Sequence, residues 1–167
     1  MSRSPSRGFP AVLLALLVAV GAAACGFRLQ GDTSLPAGVT SIYVATPDEL
    51  TPFSVALRRS LDDSGAVMAR SAGEADVVLR VIRDRSGRRV LSVSARNTPQ
   101  EYEIYYALDY SVDRAGQQVV PPQSLELTRN FSFDESLLLA KENEEEILRD
   151  AMARDLAGLV MRRLESL

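Results

Sequence analysis

Apolar side chains recur at every second position from Tyr102 to Val112. Tyr102, Ile104, Tyr106, Leu108, Tyr110 and Val112 share one parity; Glu103, Tyr105, Ala107, Asp109 and Ser111 share the other. A period of two over that length predicts a strand with one buried face. Leu125, Leu127, Phe131 and Phe133 alternate in the same way, broken only by Arg129, and Arg114-Ala115-Gly116-Gln117 supplies a turn between the two runs. The period then changes. Leu148, Ala151, Met152, Leu156, Leu159, Val160 and Leu164 form one helical stripe. Asn143 and Glu146 have capping-box spacing and predict that this helix starts near Asn143. Arg162 and Arg163 suit its C-terminal dipole.

Shorter signals complete the order. Ser41–Ala45 is β-rich and lies between Gly38 and Pro47, hence a strand. Thr51-Pro52 reads as an N-cap followed by proline in the first turn. Phe53, Leu57 and Leu61 recur every four residues up to Gly65, a helix of about 13 residues with a glycine stop. Ala75–Ile82 begins another strand, and Ser86-Gly87 predicts a turn or bulge before Arg88–Ser94 resumes it. Strand, helix, about three strands, helix is an α+β pattern. The expected architecture is a two-layer sandwich: a small, mostly antiparallel or mixed sheet of about four strands, with two helices on one face.

The N-terminus has a different character. Arg3 and Arg7 precede an uncharged run from Gly8 to Phe27, whose centre Ala11–Val20 is wholly apolar. A basic start, a short apolar stretch and small residues are the features of a secretory signal peptide. Cys25 is the sole cysteine of the chain and directly follows three alanines, which resembles a bacterial lipobox with cleavage before a cysteine that takes lipid. Position 22 is Ala where that pattern most often has Leu. A transmembrane anchor is the competing reading, weakened by Pro10 and the small residues Gly21–Cys25. A buried free thiol is another. The expected organisation is a signal peptide over 1–24, a lipidated tether over 25–38 and a single domain over 39–167. Gly26, rather than Asp, after the cysteine is compatible with the outer membrane.

Composition removes several chemistries. The 167 residues contain no His, so neither a Ser-His-Asp nor a Cys-His arrangement nor an imidazole metal ligand is available. One cysteine excludes an internal disulfide and a thiolate cluster. The net charge of −3 argues against nucleic-acid binding. Cleavage before Cys25 leaves 17 basic and 22 acidic side chains, a net of −5. Against that background Arg80, Arg83, Arg85, Arg88, Arg89 and Arg96 face a single intervening acid, Asp84. Arginine forks match phosphate and carboxylate oxygens, so this stretch is a candidate anion-binding edge. Protection of a sheet edge by charge is the structural alternative. Lys141 is the only lysine and stands before the acidic run Glu142–Glu146. Those acids lack the loop spacing of a Ca²⁺ site and suit a helix start. No metal or cofactor is expected, and no nucleophile has a base near it in sequence, so an enzyme is not expected.

Cys25-Gly26-Phe27-Arg28-Leu29-Gln30-Gly31 resembles the start of the LPS-assembly lipoprotein LptE family. Arg96–Tyr102, Pro121-Pro122, Arg129–Asp134, Leu139–Glu144 and Arg162-Arg163-Leu164 follow in that family's order. The resemblance spans essentially the whole chain after Cys25. It implies an α+β sandwich, lipid-anchored in the outer membrane, plugging the LptD β-barrel and binding lipopolysaccharide without a chemical step. It also implies Arg96 and Lys141 as lipopolysaccharide contacts; Arg83, Arg85, Arg88 and Arg89 join them on charge alone. A lipoprotein pilot or scaffold for another outer-membrane machine is the alternative function. A periplasmic hydrolase is a third, without residues to carry it.

Overall fold

The structure is a computed structural model that describes residues 35–36, 38–133 and 138–167. The signal-peptide segment, Cys25 and most of the tether lie outside the described residues. In chain order the elements are β1 (Ser41–Ala45), α1 (Pro52–Asp63), β2 (Val67–Met68), a 3₁₀ turn (Ala72–Glu74), β3 (Val77–Val93), β4 (Pro99–Arg114), β5 (Gln117–Ser132) and α2 (Leu138–Glu165). The strands form one sheet in the order β2-β1-β3-β4-β5. β1 runs parallel to β2 and β3, whereas β3, β4 and β5 are antiparallel. This is the expected mixed α+β sandwich with five strands, the fifth being the two-residue β2.

Both helices cover the face that carries Ile104, Tyr106, Leu108, Tyr110 and Val112, and these pack with Phe53, Leu57 and Leu61 of α1 and Met152, Leu156, Val160 and Leu164 of α2. The alternation seen in β4 is therefore the core boundary. Tyr106 binds the layers together: its hydroxyl accepts from the Phe53 backbone N–H at 3.1 Å. Burial, reinforced by the nearby Asp84 charge, pushes that phenol well above its ordinary range. Helix α1 begins as expected, with Thr51 Oγ1 accepting from Ser54 N at 3.1 Å and Pro52 in the first turn. It ends at Gly65, whose φ of +77° only glycine adopts without strain. At the sheet's entry, Asp76 accepts from Thr40 N, Thr40 Oγ1 and Ser41 N at 2.9, 2.9 and 3.0 Å. These donors lower its carboxyl from an ordinary 3.8 to about 2.

Two local expectations are corrected. Ser86-Gly87 is neither turn nor bulge. β3 runs straight through both residues, and its irregularities fall beside Ile82 and Leu91. The Tyr105 ring lies over Gly87, where a Cβ would stand 2.6 Å from the tyrosine hydroxyl; the neighbouring strand supplies the side chain that the glycine lacks. Helix α2 begins at Leu138, not near Asn143, so Asn143–Glu146 lie inside it and Lys141 sits in its first turn. The shift has a cause in packing. The inward position of that early turn is filled by Glu145, 6% exposed, which an apolar stripe does not reveal.

Candidate functional site

β3, β4 and β5 are 17, 16 and 16 residues long and extend well past β1, which pairs only with Val77–Arg80 of β3's near end. The chain enters at that near end, where Val39 is buried. The β3–β4 turn, residues 94–98, lies at the opposite end, roughly 50 Å away at the usual strand rise. Arg96 is exposed in this turn. Ser94 Oγ accepts from the backbone N–H groups of Arg96 and Thr98, both at 3.2 Å, and Asn97 takes a φ of +61°. The turn is thereby shaped by its own polar groups, and among the described residues the Arg96 guanidinium has no hydrogen-bond or ion-pair partner. Val90, Leu91 and Val93, just before it, are about half exposed.

Lys141 is elsewhere on the distal half. Its Nζ lies 5.1 Å from the centre of the Phe131 ring and 2.9 Å from Glu144 Oε2, with the side chain only 16% exposed. Phe131 pairs with Tyr102 of β4, and Tyr102 meets Phe133 edge to face at 5.5 Å. Arg88 lies above Tyr102 at 4.8 Å and donates to Glu145 at 2.8 Å; Arg149 holds the other oxygen of the same carboxylate. Aromatic rings and ion pairs thus clamp the start of α2 to the sheet. Among the described residues, no hydrogen bond, ion pair or ring contact joins Arg96 to Lys141.

The remaining arginines divide between the two faces. Arg88 is on the helical face, and Arg83, Arg85 and Arg89 are on the open one. Arg83 grips Asp109 with two nitrogens at 2.9 and 3.0 Å. Asp109 also accepts from Ser124, and that bond, followed by Arg83, holds its carboxyl below the usual range. Arg89 bridges Glu103 and Glu126 and lies over Tyr105, while Arg80 meets Asp113 at 3.2 Å. The excess of positive charge along β3 is therefore largely neutralised by acids of β4 and β5. Arg85 is exposed and meets no carboxylate among the described residues. Sequence reasoning missed Glu145, Tyr102 and Phe133 as parts of this region, since their roles rest on partners far along the chain. No group of three or more His, Cys, Asp or Glu side chains suited to a metal exists among the described residues. None of the described helices is long and apolar enough to cross a membrane.

A one-sided helical cover over a long-stranded sheet, ending in a cationic and apolar tip, defines a small α+β two-layer module. The family model described as "LptE: Lipopolysaccharide-assembly" matches residues 39–164, and the chain belongs to that family. It is 30% identical over 160 residues to the LPS-assembly lipoprotein LptE of Pectobacterium atrosepticum, covering 95% of this chain and 85% of that protein. It is 28% identical to the LptE of Yersinia enterocolitica, covering 90% and 72%. Among solved structures it resembles lipoprotein B of Nitrosomonas europaea with a TM-score of 0.70 and 26% identity, over 84% of this chain and 91% of the other. Rare lipoprotein B of Shewanella oneidensis gives a TM-score of 0.67 and 25% identity, over 76% and 95%.

Proposed function

We propose that this chain is an outer-membrane lipoprotein, anchored through Cys25, that binds lipopolysaccharide with its distal end and assists its delivery to the outer leaflet from within the LptD β-barrel. The observation that carries the reading is the tip. An exposed Arg96 stands beside half-exposed Val90, Leu91 and Val93, so that a cation and apolar surface meet at the end farthest from the chain's entry. An amphiphile bearing phosphates and acyl chains needs both. Lys141 contributes by exchanging Glu144 for a phosphate oxygen, a swap between two anions at an already cationic position. Charge-assisted hydrogen bonds contribute about 1.5–3 kcal/mol each, so losing both cations weakens binding by about a hundredfold or more. The protein works by binding and positioning, with no bond made or broken. The open face, a ladder of neutralised charges, suits a wet barrel wall.

Reversing both charges, Arg96→Asp with Lys141→Asp, is the test. Lost lipopolysaccharide binding by a variant that still unfolds cooperatively supports the reading; unchanged binding by the folded variant overturns it. The scaffold alternative draws on the pairing of Arg83, Arg88 and Arg89 with acids, which leaves few free cations for a ligand. A detergent pull-down with the tagged full-length chain separates the two. Recovery of one large β-barrel in near-equal amount supports the plug, whereas a ring-forming secretion component supports the scaffold.

A further inference from the structure

The two edges of the sheet are protected unequally. Along β5, Pro121 and Pro122 remove two backbone donors, and the Gln123 side-chain amide donates to both of their carbonyls at 3.4 and 3.3 Å. Prolines and occupied carbonyls are how a sheet edge is closed to further pairing. β3 lacks both devices. β1 covers its outer edge only at Val77–Arg80 and then leaves for α1, so from Ile82 onward that edge has no strand beside it among the described residues. Between the irregularities beside Ile82 and Leu91, Arg83–Val90 keeps an unbroken register with β4. Eight residues of regular strand, about 26 Å long, thus present an unpaired row of N–H and C=O groups.

The surroundings of this row fit an incoming strand. Ile82 and Leu91 flank it and Val90 ends it, each about half exposed, an apolar area that a neighbour would cover. Where β1 turns away, a cavity of about 350 Å³ lined by Ala45, Thr46, Pro47, Arg80 and Ile82 marks the start of the vacant lane. Arg83 and Arg89 are already matched by carboxylates within the sheet, and Arg88 by Glu145. Arg85, between them, is exposed, and among the described residues no carboxylate matches its positive charge. The same charge disfavours a second copy of this edge in the lane and favours a strand with an acidic side chain at that level.

From these observations we infer that the outer edge of β3 at Arg83–Val90 is a strand-addition site for an extended polypeptide segment of a partner, with an acidic residue facing Arg85. Main-chain bonds supply affinity in this mode, and the side chains at alternate positions supply selection. The inference does not depend on lipopolysaccharide binding: it rests on the main-chain groups of β3 and on Arg85, needs no cation from the tip, and shares with the tip only Val90 and Leu91 at its far end.

The experiment titrates the full-length chain in mild detergent with a soluble eight-residue peptide alternating glutamate and valine. The control is the same peptide with its two central valines replaced by proline, equally charged but unable to extend a ladder. The expected result is saturable binding, with at least tenfold slower hydrogen exchange at alternate amides of residues 83–90. Binding should fall about tenfold or more in Arg85→Glu and be restored in part by Arg85→Gln. Among the described residues Arg85 has no ion-pair partner to lose, so neither variant should shift the melting temperature. Absence of binding, equal binding of the proline control, or protection arising outside this segment would each overturn the inference.

Discussion

The near and distal halves of this domain are held together by different forces. In the near half, Ile42, Leu57, Leu61, Leu108, Val112, Leu156 and Leu164 are completely or almost completely buried, and two helices press on five strands. In the distal half only the start of α2 covers the three long strands. Its contacts there include a cation over Phe131, a guanidinium over Tyr102 and one buried carboxylate shared by Arg88 and Arg149. Leu139 and Ile147, on the same stretch of helix, point to solvent at 82% and 56% exposure. Apolar burial is non-directional and survives small shifts, whereas ion pairs and ring contacts hold one geometry and yield to competing ions. The difference teaches where adaptability is built in. The half that anchors the fold is held mainly by oil, and the half that carries Arg96 and Lys141 adds ion pairs and cation–ring contacts around a smaller apolar layer that includes Ile104 and Phe131.

The comparison breaks first at its oily side. Leu156→Ala removes a fully buried side chain from the centre of the near half and should cost about 2–5 kcal/mol of global stability in denaturant unfolding. A loss below 1 kcal/mol would mean that the two halves are not so different. Glu145→Ala comes next. It leaves Arg88 and Arg149 without their shared carboxylate, and about 1–3 kcal/mol of local stability should vanish. Hydrogen exchange should place the loss at the first turns of α2 and the facing strands, with the near half unchanged.

Asp76 sharpens the contrast through pH, since it is a partly buried carboxylate serving the oily half. Its folded pKa of about 2 lies below the value near 3.9 expected of an unfolded chain. Its contribution is therefore complete above pH ~4 and drains away as pH falls through 2. Wild type should exceed Asp76→Asn in melting temperature at pH 6, and the gap should close between pH 4 and 2. The smallest effect belongs to Arg129→Ala. Its pair with Asp155, at 3.3 Å, is half exposed on both sides, and about 0.5 kcal/mol or less is expected.

How much of this was legible in the sequence follows the same division. β4 was visible because a strand with one oily face writes its period into consecutive residues, and α1 because Thr51, Pro52 and Gly65 are local signals. The bounds of β3 and α2 were not, since they depend on partners distant in sequence. Gly87 stays extended because Tyr105 covers it, and α2 starts early because Glu145 meets Arg88, 57 residues before it. The arginine row was legible as composition, but its neutralisation was not: Arg89 finds Glu103 and Glu126 only once β4 and β5 lie alongside. Lys141 was legible as the only lysine. That it rests on Phe131 follows from the packing of α2 over the strands.

The central claim is that the polar distal half is the end that handles ligand. Site-resolved hydrogen exchange on the full-length protein in detergent, with and without purified lipopolysaccharide, tests it most directly. The account predicts altered protection confined to the residues around the 94–98 turn, the facing part of β5 and the first turns of α2, with β1 and α1 unchanged. Changes centred on β1 and α1, or none at a saturating concentration, would contradict it.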